Sequence, residues 1–220
     1  MKKFLILSLL LFSACSRNNE EVASRFHKDG KAKPVVALVP IFDHSDAKLP
    51  WSLTEEFTQT IEERLSKRSK IYLVSDDAVT KMTAGLDERH KPFGSEVSWT
   101  KETFAGNEFV VFMELVDHEM VPVGSEEFLE EEGDAKTPHE LHLTMRLRIF
   151  DLRGDQPEIV LQELVQRTHH VPKWLSNVDY TKSGWGKYSF HVTPFGLAHA
   201  QFTRAITKRI ESYILLAKSR

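Results

Sequence analysis

Apolar and polar side chains alternate without interruption from Leu141 to Ile149, and this pattern restricts the fold more than any other in the chain. A period of two places the apolar side chains on one face of a β-strand and the polar ones on the other. Turn-forming residues follow at 151–155, and residues 159–168 predict the returning strand of a hairpin. With another strand predicted over 109–116, we expect three consecutive antiparallel strands.

The amino-terminal half predicts a β-α-β unit. Residues 35–39 form a continuous apolar run, which is typical of a strand covered on both faces. Ser52 and Glu55 have the spacing of a capping box, and apolar residues then recur every fourth position, which predicts an amphipathic helix to about Ser69. A short strand over 71–74 completes the unit. Because parallel strands are joined by right-handed crossovers, we expect these two strands to pair in parallel.

Three further helices are predicted. A short one begins at Ser75–Asp77, a second covers Ser95–Phe104 and ends before Gly106, and a long terminal helix begins after Thr193. Residues 34–220 therefore predict a single α/β domain without internal repeats. Its expected architecture is a mixed β-sheet sandwich, with β-α-β followed by a helix, a three-stranded antiparallel meander and a C-terminal helix.

The start of the chain resembles a bacterial lipoprotein signal peptide. Lys2 and Lys3 precede an apolar run that is too short to span a bilayer, so residues 1–14 are expected to be cleaved. Residues 11–15 resemble a lipobox, whose cysteine is acylated and becomes the new amino terminus. We therefore expect Cys15, the only cysteine in the chain, to be the lipidation site. A free thiol after an ordinary signal, or a cysteine in an uncleaved anchor helix, are the alternatives.

A lipid anchor predicts a location in the cell envelope. More than one acyl chain, such as palmitate, makes attachment effectively stable. Ser16 follows the cysteine where an aspartate would favour the inner membrane, so we expect the outer membrane, with the domain facing the periplasm. Residues 15–33 are polar and predict a flexible tether between the lipid and the domain.

The charge balance excludes one class of partner. The chain has 29 basic and 32 acidic side chains, and cleavage removes Lys2 and Lys3 but no acid. Without a basic excess, nucleic-acid binding is not expected. A polybasic patch that binds a membrane surface is equally unsupported by this overall balance.

Several segments resemble a group of bacterial envelope proteins. Residues 36–45, an apolar strand followed by Pro40, an aromatic and a polar loop, are similar to the opening motif of the group. Residues 104–112 resemble the segment that leads into its third strand, and residues 150–154 resemble its hairpin turn. The group comprises CsgG-like secretion-channel lipoproteins, the TolB amino-terminal domain and LpoB-like activators of peptidoglycan synthases. This resemblance implies the fold described above and an envelope partner.

The sequence contains no nucleophile or nucleotide-binding motif that would indicate an enzyme or a cofactor. The glycines at 184–187 lack the strand and helix that a phosphate-binding loop requires, which favours a surface turn. The ten histidines lack the spacing of a metal site, so neither a metal nor another cofactor is expected. Asp43, His44 and Asp46 follow the first strand, where they favour a turn over a hydrolase site.

Two segments outside the regular pattern are candidates for binding. The acidic residues between 126 and 134 lack the order of a calcium loop and favour a solvated hairpin tip. Residues 172–194 are rich in aromatic rings, which are enriched at protein interfaces. The candidate partner-binding residues there are Trp174, Tyr180, Trp185 and Tyr188. The alternative is that this segment folds back over the sheet and its rings form local core.

These observations predict a non-catalytic, lipid-anchored module that binds another envelope component, such as a cell-wall synthase or a secretion complex. One alternative is a structural subunit of an oligomeric, secretion-type assembly, for which a homo-oligomer is expected. Another is a hydrolase whose site is not legible from the sequence.

Overall fold

A computed structural model describes residues 23–87, 89–124 and 138–220 and arranges them around one mixed β-sheet. The strands are β1 (Val35–Leu38), β2 (Phe42–Asp43), β3 (Tyr72–Leu73), β4 (Phe109–Pro122), β5 (His139–Asp151) and β6 (Glu158–Val171). The α-helices are α1 (Leu53–Arg68), α2 (Asp76–Thr83), α3 (Trp99–Thr103), α4 (Tyr180–Ser183) and α5 (Pro194–Lys218). Short 3₁₀ helices cover Lys173–Leu175 and Tyr188–Val192.

The sheet confirms the predicted α/β fold class. Its strand order is β3-β1-β4-β5-β6, with β2 paired to the end of β4. β1 and β3 are parallel and joined through α1, as the β-α-β prediction requires. β4, β5 and β6 form the antiparallel meander, and a bulge at Val116 shifts the register of β4 against β5. β2 was not predicted, because this strand, which begins two positions after Pro40, has only two residues and is too short to show an alternating pattern.

The larger hydrophobic core lies between the sheet and the two long helices, α1 and α5. From α1 the apolar stripe of Leu53, Phe57, Ile61 and Leu65 is buried against the sheet. The matching stripe of α5 consists of Phe195, Ala198, Phe202, Ile206, Ile210 and Ile214. Because a fully buried aliphatic or aromatic side chain contributes about 1.5–3 kcal/mol, this layer accounts for much of the stability of the domain.

A second, smaller core covers the opposite face of the sheet. Ala37 of β1 and Val39, which directly follows β1, belong to it, whereas Val36 and Leu38 belong to the larger core. Both faces of β1 are therefore buried, which explains its continuous apolar sequence. The other members of this core are Val79, Phe104, Val110, Phe112, Phe150 and Leu152.

The helix ends follow the predicted capping, with one difference. Ser52 accepts a hydrogen bond from the amide of Glu55, and Thr193 accepts one from the amide of Gly196. α3 is shorter than the predicted helix over 95–104. Its start is delayed because the Ser98 amide and hydroxyl both donate to the Glu96 carboxylate, at 3.0 and 2.6 Å, so the side chain competes with helical bonding.

Part of the predicted tether lies against the domain. In residues 23–33, Phe26 and Ala32 form an antiparallel bridge, and the Lys33 ammonium donates to the Ser69 hydroxyl at 3.0 Å. Residues 1–14, Cys15 and the acidic segment 126–134 lie outside the described residues. Among the helices of the described ranges, none has the length and apolar character needed to cross a membrane.

Candidate functional site

The aromatic segment, defined as residues 172–194, crosses the end of the larger core between β6 and α5. Its course is set by the two 3₁₀ helices and α4. The Asp179 carboxylate accepts from the Thr181 amide and so caps α4. Thr193 closes the segment by donating its hydroxyl to the carbonyl of Phe190 at 2.8 Å. The segment is thus built from short, individually capped turns.

The inner side of the aromatic segment is fixed by ring contacts to the core. Tyr180 stacks on Phe195 of α5 with the ring centres 4.3 Å apart and the planes 12° from parallel. Its hydroxyl also accepts a hydrogen bond from the Phe195 amide at 3.3 Å. Phe190 meets Trp51 edge to face at 5.4 Å. Such pairs contribute about 0.5–1.5 kcal/mol each beyond the area that they bury.

Two glycines allow this segment to approach its neighbours closely. A Cβ atom at Gly196 would lie 1.9 Å from the carbonyl oxygen of Phe190, and one at Gly184 would lie 2.7 Å from the Trp51 ring. Neither distance is possible for real atoms, and a backbone carbonyl cannot move aside as a flexible side chain can. The segment and the first turn of α5 are therefore packed backbone against backbone.

The four aromatic candidates divide into two pairs. Tyr180 and Trp185 are partly buried and pack against the larger core. Trp174 and Tyr188 are exposed, with 80% and 97% of their surface accessible. The outward rings are therefore held on a segment whose inward rings are part of the core.

A buried polar network lies beneath the aromatic segment, and sequence reasoning did not find it. The Glu56 carboxylate accepts from the Trp51 indole at 2.7 Å and contacts His199 Nδ1 at 2.7 Å. The Nε2 atoms of His199 and His118 are 2.9 Å apart. Glu56 and His199 are each 2% exposed, and His118 is 6% exposed. The network joins α1, α5 and β4 across the larger core.

The contacts of this network restrict where its protons can lie. Two Nε2 atoms in contact need one proton between them, and the Glu56 carboxylate needs a proton on His199 Nδ1. Burial, and secondarily the neighbouring His199, lowers the pKa of His118 to about 4. His118 is therefore neutral at physiological pH. Burial likewise lowers the pKa of His169, whose Nε2 is buried without a hydrogen-bond partner.

A cavity of about 510 Å³ opens on the opposite side of the sheet. Its walls are aromatic, formed by Phe42, Phe93, Trp99 and Phe112. At one end Glu114 lies 2.7 Å from His44 Nδ1 and 2.9 Å from an Arg146 nitrogen. The Arg146 guanidinium in turn lies 5.3 Å from the centre of the Phe93 ring. A largely apolar cavity that also carries charged side chains, among them Asp87 and Lys91, has the size and lining of a small-molecule site.

The three residues considered for hydrolysis do not act together. Asp43 accepts from the amide and hydroxyl of Ser45, at 3.0 and 2.7 Å, and so closes its own turn. His44 instead pairs with Glu114 at the end of the cavity. Asp46 has a positive φ of 56°, which is a turn conformation. Within the part of the chain that the structure describes, no three histidine, cysteine or acidic residues could hold a metal ion.

One solved structure resembles this chain over nearly its whole length. The hypothetical protein CT253 from Chlamydia trachomatis is 28% identical, and the alignment covers 83% of this chain and 98% of that one with a TM-score of 0.65. A lipoprotein, GNA1162 from Neisseria meningitidis, aligns at 10% identity over 81% and 99% of the two chains, with a TM-score of 0.42. The C-terminal domain of LpoB from Salmonella enterica aligns at 15% identity over 62% and 84%, with a TM-score of 0.34.

Comparison with curated proteins finds no match. The model of a protein family described as "Family of unknown function (DUF7499)" matches residues 22–218, which include every strand and helix named above. The chain therefore belongs to the DUF7499 family.

Proposed function

We propose that this protein is a lipid-anchored, non-catalytic module of the bacterial cell envelope that binds a partner protein through the outer side of its aromatic segment. The observation that carries this proposal is the exposure of Trp174 and Tyr188 on a segment whose inner rings are locked into the core. Aromatic side chains dominate the binding energy of protein interfaces because they bury a large area at little cost in rotamer entropy.

The rigidity of the segment supports a binding role. Exposed rings on a floppy loop would lose conformational entropy on binding, whereas rings on a fixed backbone have already lost it. The stacking of Tyr180 on Phe195 and the close approach at Gly196 both restrict the backbone. Because this packing needs the folded core, the partner surface is formed only when the domain is folded.

The short distance between anchor and domain supports an envelope partner. Acylation at Cys15 would leave seven residues between the lipidated cysteine and Ala23, the first described residue. Since an extended chain spans at most about 3.6 Å per residue, the domain would lie within about 30 Å of the lipid. A domain held so close to a bilayer meets envelope components at high effective concentration.

The depth of the histidine network supports a structural role for those groups. A general base must lie within hydrogen-bond reach of its substrate. Glu56 and His199 lie beneath the aromatic segment and are almost wholly inaccessible. We therefore infer that Glu56 and His199 stabilise the core and do not act on a substrate.

Crosslinking in the native cell tests the partner surface. We expect a specific envelope protein to be captured by the wild type and lost with Trp174→Ala, Tyr188→Ala or both. Phe26→Ala is the matched control, because Phe26 is an exposed ring, at 45%, outside the segment. Equal capture by the double variant and the control would rule out this surface.

Intact-mass analysis of the cell-extracted protein tests the anchor. We expect residues 1–14 to be absent and Cys15 to carry acyl chains, with Cys15→Ser losing both changes. A retained leader, or an unmodified thiol, would contradict the anchor while leaving the partner surface open to its own test.

A second candidate function is the binding of a small apolar ligand in the aromatic-walled cavity. The cavity volume of about 510 Å³ and its four aromatic walls favour this role. Thermal-shift screening against small hydrophobic compounds tests it, with Phe93→Ala expected to abolish any stabilisation that the wild type shows. A screen without a stabilising compound, or stabilisation that survives in Phe93→Ala, would contradict it.

A further inference from the structure

A cationic crevice lies on the outer side of the helical layer, between α1 and α5. It has a volume of about 250 Å³ and is lined by Arg64, Lys67, Arg68, Arg204 and Thr207. Lys208 lies one helical turn after Arg204, so it continues the same surface. The carboxylates that pair with this group are Glu63, which lies 3.1 Å from Lys67, and Glu211, which lies 2.8 Å from Arg68. Basic side chains therefore outnumber acidic ones at this surface.

The cations of the crevice lie close together although few carboxylates pair with them. Burial lowers the pKa of Arg64, and the guanidinium groups of Arg204 and Arg68 act in the same direction against Glu63. Arg64 donates to the carbonyl of Ala200 at 3.3 Å, but its Nε is buried without a hydrogen-bond partner. Like charges gathered around a concave surface create a strong positive potential, which an anion would relieve.

The start of the described chain lies at the end of α1 that carries Arg68 of the crevice. Ser69, the residue that ends α1 next to Arg68, binds the ammonium of Lys33 at 3.0 Å. That ammonium also donates to the carbonyl of Ser24, at 2.8 Å, at the start of the described chain. The path towards Cys15 therefore leaves the domain beside the crevice. A lipid anchored there brings membrane phosphates to the cationic surface.

We propose that this crevice binds the phosphate groups of anionic lipids in the leaflet that holds the anchor, and so orients the domain on the membrane. This inference rests on the lipid anchor of the proposed function. Arginine suits phosphate because its planar guanidinium donates two parallel hydrogen bonds. The surface potential of an anionic leaflet acts only within about a Debye length, and the short connection keeps the domain close to it.

Energy transfer between the protein and labelled lipid tests this orientation. The lipidated full-length protein carries Ser212→Cys, an exposed position one turn after Lys208, as the site for a fluorophore. It is reconstituted into vesicles of phosphatidylcholine with or without phosphatidylglycerol, and a headgroup-labelled lipid is the acceptor. We expect stronger transfer in the anionic vesicles, and loss of this difference at about 1 M salt, where the Debye length is about 3 Å.

Charge variants identify the surface. Each basic side chain near an anionic leaflet changes its binding about fivefold, so Arg204→Gln with Lys208→Gln should lower the ratio of docked to undocked molecules more than about tenfold. Both residues are exposed, and this pair leaves the buried stem of Arg64 intact. Lys48→Gln with Lys81→Gln is the matched control, since it removes the same charge from exposed positions elsewhere.

The outcomes separate this proposal from the anchor. Association with neutral vesicles supports the anchor, whereas only the response to phosphatidylglycerol reports on the crevice. Equal transfer in both vesicle types, or equal loss in the two charge variants, would overturn the crevice proposal. Inhibition by inorganic phosphate beyond that of chloride at the same ionic strength would support the crevice proposal, because free phosphate competes for the same guanidinium groups. A protein that associates with neither vesicle overturns both proposals.

Discussion

His118 of β4 and His199 of α5 face each other through their Nε2 atoms, 2.9 Å apart, inside the larger core beneath the aromatic segment. The other ring nitrogen of His199, Nδ1, contacts Glu56 Oε1, and the Trp51 indole donates a hydrogen bond to Glu56 Oε2. This chain of contacts ties one long helix to the other and both to the sheet. Because His118 is buried, a change in its protonation becomes a change in stability.

Acidification should destabilise the protein through His118. Its pKa is about 4 in the folded state against 6.5 in a model peptide, so the unfolded chain binds more protons between these values. Stability is therefore lost as the pH falls from about 6.5 to 4, by at most about 3 kcal/mol. Denaturant unfolding at several pH values should show this slope in the wild type and in His170→Gln, an exposed control, but not in His118→Gln. Parallel slopes for all three proteins would contradict the prediction.

A rise in pH, in contrast, should destabilise the protein through Glu62. Burial, with the nearby carboxylate of Asp76, raises its pKa to about 7 from 4.5, so the folded state binds more protons between these values. This contribution is present below about pH 4.5 and is lost as the pH rises through 7. Glu62→Gln should therefore leave stability at pH 4.5 unchanged and raise it at pH 8, by about 1 kcal/mol after allowance for its partial exposure.

Glu63→Gln provides the comparison for Glu62, because Glu63 is more exposed and pairs with Lys67. Unfolding of both variants at pH 4.5 and pH 8 measures the difference. A gain in stability at pH 8 that is the same for both variants would show that the Asp76 carboxylate is not its cause.

Removal of the Glu56 carboxylate should be strongly destabilising. Glu56→Ala leaves the Trp51 indole and His199 Nδ1 without their acceptor inside the core. We expect a loss of about 3–5 kcal/mol, and a smaller loss of about 1–3 kcal/mol for Glu56→Gln, which keeps one acceptor. The midpoint of urea unfolding measures both. Glu55→Gln, an exposed neighbour, should change stability by less than about 0.5 kcal/mol, and a comparable loss there would refute the assignment.

Truncation of the aromatic segment should separate its inner from its outer rings. Tyr180→Ala removes the ring stacked on Phe195 and should cost about 2–4 kcal/mol. Trp174→Ala and Tyr188→Ala remove exposed rings and should change stability by less than about 0.5 kcal/mol. Thermal unfolding of the three variants measures this contrast. Similar losses for all three would mean that the outer rings also belong to the core.

The fold could be predicted because its elements have regular periods. The alternation from Leu141 to Ile149 identified β5, and the apolar repeats that begin at Leu53 and Phe195 identified the two long helices. α3 was predicted too long because side-chain bonding at Ser98 competes with the helix. Such local competition is not visible in a pattern of hydrophobicity.

The interior of the site could be predicted only in part. Glu56 follows Leu53 by three positions and so falls on the buried stripe of α1, which marks it as unusual. Its partner His199 is 143 positions away, and no spacing rule connects them. The cationic crevice was missed for a related reason, since the near balance of charge over the whole chain conceals its segregation on one surface. The oligomeric secretion-type assembly stays a prediction.

Because Gly196 has no side chain, the segment that carries the exposed rings can approach the backbone of α5. Because the carbonyl of Phe190 occupies the space that a Cβ would need, the aromatic segment packs directly on the first turn of α5, and lifting it away would uncover the end of the larger core. Amide exchange in residues 188–196 should then proceed only through openings that also release the start of α5. A recognition surface made in this way depends on the packing of the core beneath it.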